Sequence, residues 1–259
     1  MRTFLLTFLM MLTIFISVTI AQTVELGLRY NPEFTSLLNK NDNNAGSSLN
    51  PISNFGYYSL GAGAVFVFNK NIGLAVDLLF SREGQRFEGN FTGGSFDAAT
   101  YSSVVKTQLS LNNMVIVGDY VAKSELNYIK IPLMISLTSD NTKQFFLTLL
   151  AGPQLNFLVN VAQEVNHQDT DYPNSNINPN DLYKSITING VLAVGSGYNL
   201  NSHLVLSARV RVDYGFDDVE KKDLMVSYYG AAPVRFYSSN RQATHNLTIG
   251  LLIGLDFKL

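Results

Sequence analysis

Cysteine and tryptophan are absent from this sequence, histidine occurs three times, and only 15% of its 259 residues are charged. Without cysteine there is no disulfide staple, no thiolate metal site and no tether through a lipidated cysteine. The charge content falls well below the ~25% usual in soluble proteins, so something other than water covers much of the surface. A formal net charge of −2 excludes a polybasic nucleic-acid binder. Beyond the N-terminal segment no apolar run approaches the ~18 residues that a membrane helix needs. If the remaining chain crosses a membrane, it does so as a closed barrel, because lipid cannot satisfy an open strand edge.

What is present begins with an export signal. Arg2 supplies a positive start, Phe4 to Ile20 is apolar apart from Thr and Ser, and Thr19-Ile20-Ala21 offers a small residue for cleavage before Gln22. A retained anchor fits less well, because strand-like alternation begins at Val24 with no basic stop-transfer flank. Residues 1–21 are therefore read as a signal peptide and 22–259 as one β-domain.

The period of that domain is two. Leu247, Ile249, Leu251, Ile253, Leu255 and Phe257 share one face, opposite Thr248, Gly250, Leu252, Gly254 and Asp256. Similar alternation predicts eight strands near 23–31, 56–68, 71–84, 125–138, 144–158, 186–199, 203–216 and 245–258. Each reaches the ~9–11 residues of a tilted membrane strand. Three connections are short (69–71, 139–143, 200–202) and four are long and polar (32–55, 85–124, 159–185, 217–244). Outer-membrane barrels pair short periplasmic turns with long outer loops, and an even strand count returns the C-terminus to the periplasm. The apolar run Met114 to Val117 within 104–121 could add a hairpin to the second loop.

A soluble lipocalin-like barrel would show the same alternation. Composition separates the two: the polar stripe here is Gly, Ala, Ser and isolated charges, which suits the narrow lumen of eight strands. Tyr30, Phe68, Phe80, Phe145, Phe157, Tyr198, Tyr214 and Phe257 lie near strand ends, as in an aromatic girdle. The expected architecture is thus an eight-stranded antiparallel up-and-down transmembrane β-barrel, with outer-membrane lipid as its surroundings.

Parity gathers Glu25, Arg29, Asp77, Glu83, Lys130, Arg209, Arg211, Asp213 and Asp256 on the polar face. Inside a narrow barrel such charges must pair, so they are expected to form an ion-pair plug in the lumen; a gated solute path is the alternative. The fourth loop interleaves Tyr228, Tyr229, Arg235, Phe236, Tyr237 and Arg241, residue types that suit contact with a glycan or an envelope protein. The third loop spaces Asp169, Asp171, Asn174, Asn176, Asn178 and Asp181 as oxygen ligands could be spaced, but without the glycine and closing Glu of a calcium loop. His245, with Ser238 or Ser239 and Asp217 or Asp218, could be drawn as a catalytic triad, although nothing in the spacing requires it. No catalytic residue, metal site, cofactor or nucleic-acid partner is expected.

The string Leu126-Asn127-Tyr128-Ile129-Lys130-Ile131-Pro132-Leu133 resembles the Tyr-x-x-x-Pro-Leu strand of PorT-like outer-membrane barrels. Ala151-Gly152-Pro153, Gly195-Ser196-Gly197-Tyr198, Val212-Asp213-Tyr214-Gly215 and the closing strand resemble the rest of that scheme. The resemblance implies an integral eight-stranded outer-membrane barrel with no general catalytic activity. No residue here marks the secretion role of the family's name-giving member. Pro132 and Pro153 cannot donate to a ladder and are expected at a bulge or bend. A non-catalytic interaction role is the favoured function; a narrow conduit and a lipid-modifying surface enzyme are the alternatives.

Overall fold

The computed structural model describes residues 23–40, 50–92, 117–167, 179–221, 223–226, 234–237 and 242–259; the expected signal peptide lies outside them. In chain order the strands are β1 (Thr23–Leu38), β2 (Asn50–Ile52), β3 (Asn54–Asn69), β4 (Ile72–Thr92), β5 (Val117–Thr138) and β6 (Phe145–His167). They continue with β7 (Ile186–Asn199), β8 (Leu204–Gly215), β9 (Asp223–Val226), β10 (Val234–Tyr237) and β11 (His245–Lys258). Eight of them form a closed antiparallel ring in the order β1-β3-β4-β5-β6-β7-β8-β11. The seam between first and last strand runs from Glu25↔Lys258 to Leu38↔His245, so both ends of the barrel sequence lie at one rim. The short turns lie there too, and the long connections at the other.

The distribution of polarity is inverted relative to a water-soluble protein. Leu28, Leu78 and Val210 are 67%, 57% and 57% exposed, whereas Lys130, Arg211 and Asp213 are at most 1% exposed. Only an apolar solvent around the barrel makes that arrangement favourable. Phe145, Tyr198 and Phe257 ring the short-turn rim, and Tyr30, Phe80, Tyr214 and Phe216 stand exposed toward the other. The short-turn rim is tied down by its own side chains. Asn71 Nδ2 donates to Thr138 O (3.0 Å), Asn199 Nδ2 to Asn141 O (3.0 Å) and Lys258 Nζ to Asn199 Oδ1 (2.7 Å). The Thr142 hydroxyl (2.6 Å) and amide (3.2 Å) donate to Asp140, holding its carboxyl below the usual range.

Both prolines interrupt pairing, but not by a bulge. The β4–β5 ladder passes from Val76↔Leu133 to Leu79↔Lys130, skipping the residues beside Pro132. The β5–β6 ladder likewise passes from Pro132↔Gln154 to Ile135↔Ala151, skipping Pro153. Register is the same on either side, so the missing donors open the ladder for two residues without inserting one. The bulges lie elsewhere. Glu33 pairs with Tyr57 and Phe34 with Phe55, leaving Gly56 as the extra residue, with φ of 96°. That conformation favours glycine. Phe68 is the extra residue of a second, between Val67 and Asn69, and Val159 of a third, between Leu158 and Asn160.

Four strands outrun their sequence-based ends: β1 continues past 31 to Leu38, β4 past 84 to Thr92, β5 begins at Val117, and β6 reaches His167. β4 and β5 pair directly up to Thr92↔Val117. Of the segment suggested for an extra hairpin, 117–121 therefore belongs to β5, and 104–116 lies outside the described residues. β2 adds to β4 at Arg86–Glu88. Leu37, Tyr57, Phe87 and Leu126 are each buried.

Candidate functional site

The lumen is where the alternation concentrates charge, because every second residue of every strand points into it. Two ion clusters fill it rather than one continuous network. Toward the short-turn rim, Arg29 Nε lies 3.2 Å from Asp77 and its Nη1 2.6 Å from Asp256. Glu25 faces Lys258 at 3.9 Å. Further out, Lys130 Nζ contacts Glu83 and lies 3.2 Å from Asp213, while Arg211 Nε donates to Asp213 at 2.7 Å. Gln154 joins this second cluster, its Nε2 donating to Asn156 (2.7 Å) and Asp213 (3.3 Å). All nine parity-selected charges are buried.

One of them departs from expectation. Arg209 forms no ion pair within 4.0 Å among the described residues, and its Nε has no partner. It borders a cavity of about 30 Å³ shared with Glu25, Arg29, Phe146, Thr148 and Val205, room for one or two waters. Thr148 Oγ1, also buried without a partner, lines the same space. Water in that cavity would serve both groups.

Small residues make room for the charges. A Cβ on Gly63 would collide with the Asp77 carboxylate, and one on Gly27 with Asp256 and Arg29. The β4–β7 side of the lumen is apolar instead: Ala75, Met134, Leu150, Val191 and Ala193 pack together. Parity alone did not find this, because those residues look like breaks in the polar stripe.

Glu33 was missed for a different reason. The alternation places the first strand at 23–31 and the long connection from 32, which leaves Glu33 outside it. In the structure β1 continues and Glu33 is 3% exposed, receiving hydrogen bonds from Asn31 Nδ2 (2.6 Å), Ser59 Oγ (2.7 Å) and Ser81 Oγ (3.3 Å). The signal that could have found it is its parity with Glu25 and Arg29.

Among the loop candidates, Tyr228, Tyr229 and Arg241 lie outside the described residues. Arg235, Phe236 and Tyr237 belong to β10 rather than to irregular loop, pairing with Met225, Leu224 and Asp223 of β9. Of the oxygen-rich third loop, Asp169, Asp171, Asn174, Asn176 and Asn178 lie outside the described residues, and Asp181 sits in a one-turn 3-10 helix, Pro179–Leu182. His167 ends β6 opposite Tyr120 rather than sitting in a loop. His203 stacks on Phe257 at the short-turn rim, with ring centroids 6.0 Å apart.

His245 stacks on Tyr214 (5.9 Å), and its Nδ1 lies 3.0 Å from Gly215 O. The acids drawn with it are held by backbone: Asp217 receives the Ile188 amide (2.9 Å) and Asp218 the Thr244 amide (3.0 Å). Ser238 and Ser239 lie outside the described residues. The bases of the outer loops are tied together. Tyr183 bridges Glu220, Lys184 N donates to Val219 O (2.9 Å), and Asn39 Nδ2 donates to Thr244 Oγ1 (2.9 Å). Leu182, Tyr183 and Val219 are buried within this cap.

The sequence matches the model of the outer membrane protein beta-barrel domain family over residues 20–221. The chain belongs to that family. Membership places the protein in the outer membrane, as the inverted polarity of its surface requires. No curated protein matches the sequence significantly. Similar solved structures include the attachment invasion locus protein Ail of Yersinia pestis, 9% identical, covering 91% of this chain and 98% of that one, TM-score 0.39. Another is OprG of Pseudomonas aeruginosa, 12% identical, covering 92% and 94%, TM-score 0.41. The outer membrane protease OmpT of Escherichia coli is 8% identical, covering 92% and 97%, TM-score 0.48.

Proposed function

We propose that this family member is a non-catalytic interaction protein, a PorT-like barrel that presents its outer side to an envelope protein or a glycan. The observation that carries this reading is the contrast between the two parts of the molecule. The lumen is filled by buried and mostly paired charges, whereas the outer side is built up: four strands run past the barrel's girdle and three loop bases are knitted into a cap. The Tyr128, Pro132 and Leu133 motif supports the PorT-like assignment.

Surface display of the protein on intact cells, followed by binding to immobilised glycans and to envelope extracts, tests the reading. Replacing Tyr228, Tyr229, Phe236 and Tyr237 by Ala is expected to abolish capture. Unchanged capture would end the proposal for these residues. A second reading, a narrow conduit, draws on the cavity beside Arg209. In planar bilayers the filled lumen is expected to give no defined conductance steps; regular steps would favour the conduit instead. His245→Ala is expected to leave envelope lipid composition unchanged, as befits a protein without lipid-modifying activity.

A further inference from the structure

Among the described residues, the outer half of the lumen holds one more negative charge than its cations balance. Lys130 and Arg211 are its two cations, and Glu83 and Asp213 engage them. Glu33 is the third carboxylate of this layer, and every hydrogen bond it receives comes from a neutral donor, Asn31, Ser59 or Ser81. The inner layer is even by comparison: Glu25, Asp77 and Asp256 stand against Arg29, Arg209 and Lys258. Lys130 is already shared by Glu83 and Asp213, and a buried charge left in excess is strongly disfavoured, so the excess at Glu33 needs a positive partner.

A second, independent feature lies in the same patch of wall. Asn31 Oδ1, Thr248 Oγ1 and Asn246 Oδ1 are buried oxygens with no hydrogen-bond partner among the described residues, and their residues are at most 2% exposed. Asn31 is the next inward-facing residue of β1 before Glu33, and its amide nitrogen donates to the Glu33 carboxylate. Thr248 pairs with Thr35 and Gly250 with Glu33, so Thr248 stands diagonally across the seam from Glu33. Gly250 lets the Asn31 amide lie against the backbone beside Glu33, since a Cβ there would collide with it. Unsatisfied oxygens beside an unbalanced carboxylate are what a bare cation seeks.

We propose that this patch of the lumen wall binds one monovalent metal cation of the sodium type, with Glu33 as the charged ligand and Asn31 and Thr248 as neutral oxygen ligands. The excess is a single charge, which one monovalent ion closes. Divalent ions are disfavoured, because no three acidic or histidine side chains among the described residues converge as a metal group.

The test is urea titration of the full-length protein refolded in detergent micelles, with sodium chloride against choline chloride at equal ionic strength. Sodium that binds only the folded barrel raises the folding constant in proportion to its concentration above the dissociation constant. The wild type should therefore gain up to tenfold per tenfold rise in sodium, and Glu33→Gln should show no such gain. Equal behaviour in sodium and choline would overturn the proposal and leave a proton on Glu33 as the balancing charge. Persistence of the sodium effect in Glu33→Gln would overturn the assignment of the ligand. If Glu33→Gln fails to refold, wild-type crystals grown with thallium(I) decide: an anomalous peak beside Glu33 is expected, and its absence rejects the site.

Discussion

Lys130 is the residue on which the lumen depends most. It has no solvent exposure and contacts carboxylates from two other strands, Glu83 of β4 and Asp213 of β8. Lys130→Met keeps the length of the side chain but leaves both acids without that partner. Breaking a buried pair from one side costs about 3–5 kcal/mol, and urea unfolding in lipid vesicles should show a loss of that size. Adding Glu83→Gln to the same chain should recover part of it, since the second change removes one of the orphaned charges. Lys130 was legible from parity, whereas its partners were not: nothing local says that β8 faces β5 across the lumen. Arg209 shows the converse, since parity placed it inside but could not foresee that its Nε would face a small cavity rather than an acid.

At the scale of the strand, alternation sets orientation and lipid enforces it. Val210 lies midway along β8, between Arg209 and Arg211, and is 57% exposed. Val210→Arg puts a charge on the lipid face near the middle of the strand, where such a substitution costs about 2–4 kcal/mol. The loss should appear in vesicle refolding and shrink in bilayers of shorter acyl chains. The strand cores were readable because lipid on one side and a packed lumen on the other impose opposite demands on successive residues. Where the strands rise beyond the lipid, that demand ends on the outer face. There Arg82, Lys123 and Glu125 pair on the wall, and the sequence takes on loop-like composition while the ladder continues. Hence β4 and β5 run further than their patterns announce.

The closed ring governs the whole molecule. With β11 paired to β1 along their shared length, there is no edge from which detergent can peel a strand at room temperature. Unboiled protein should therefore migrate as a compact species in denaturing gels and shift to its full apparent size after heating. A single mobility with and without boiling would contradict closure. The same closure explains why the lumen tolerates ten buried charged side chains, Glu33 among them, in so narrow a space: the strands that carry them cannot move apart.

The sequence by itself determined the number of spanning strands, which face meets lipid, which rim carries the short turns, and the inward position of nine charged residues. Those properties follow from a period of two and from turn composition, both local. Only the tertiary structure decided which charges meet, that Glu33 belongs among them, that prolines open the ladder without shifting it, and that loop bases unite in a cap. Each of these depends on contacts between strands far apart in the chain. Those distances are set by barrel closure and register, which no local pattern encodes.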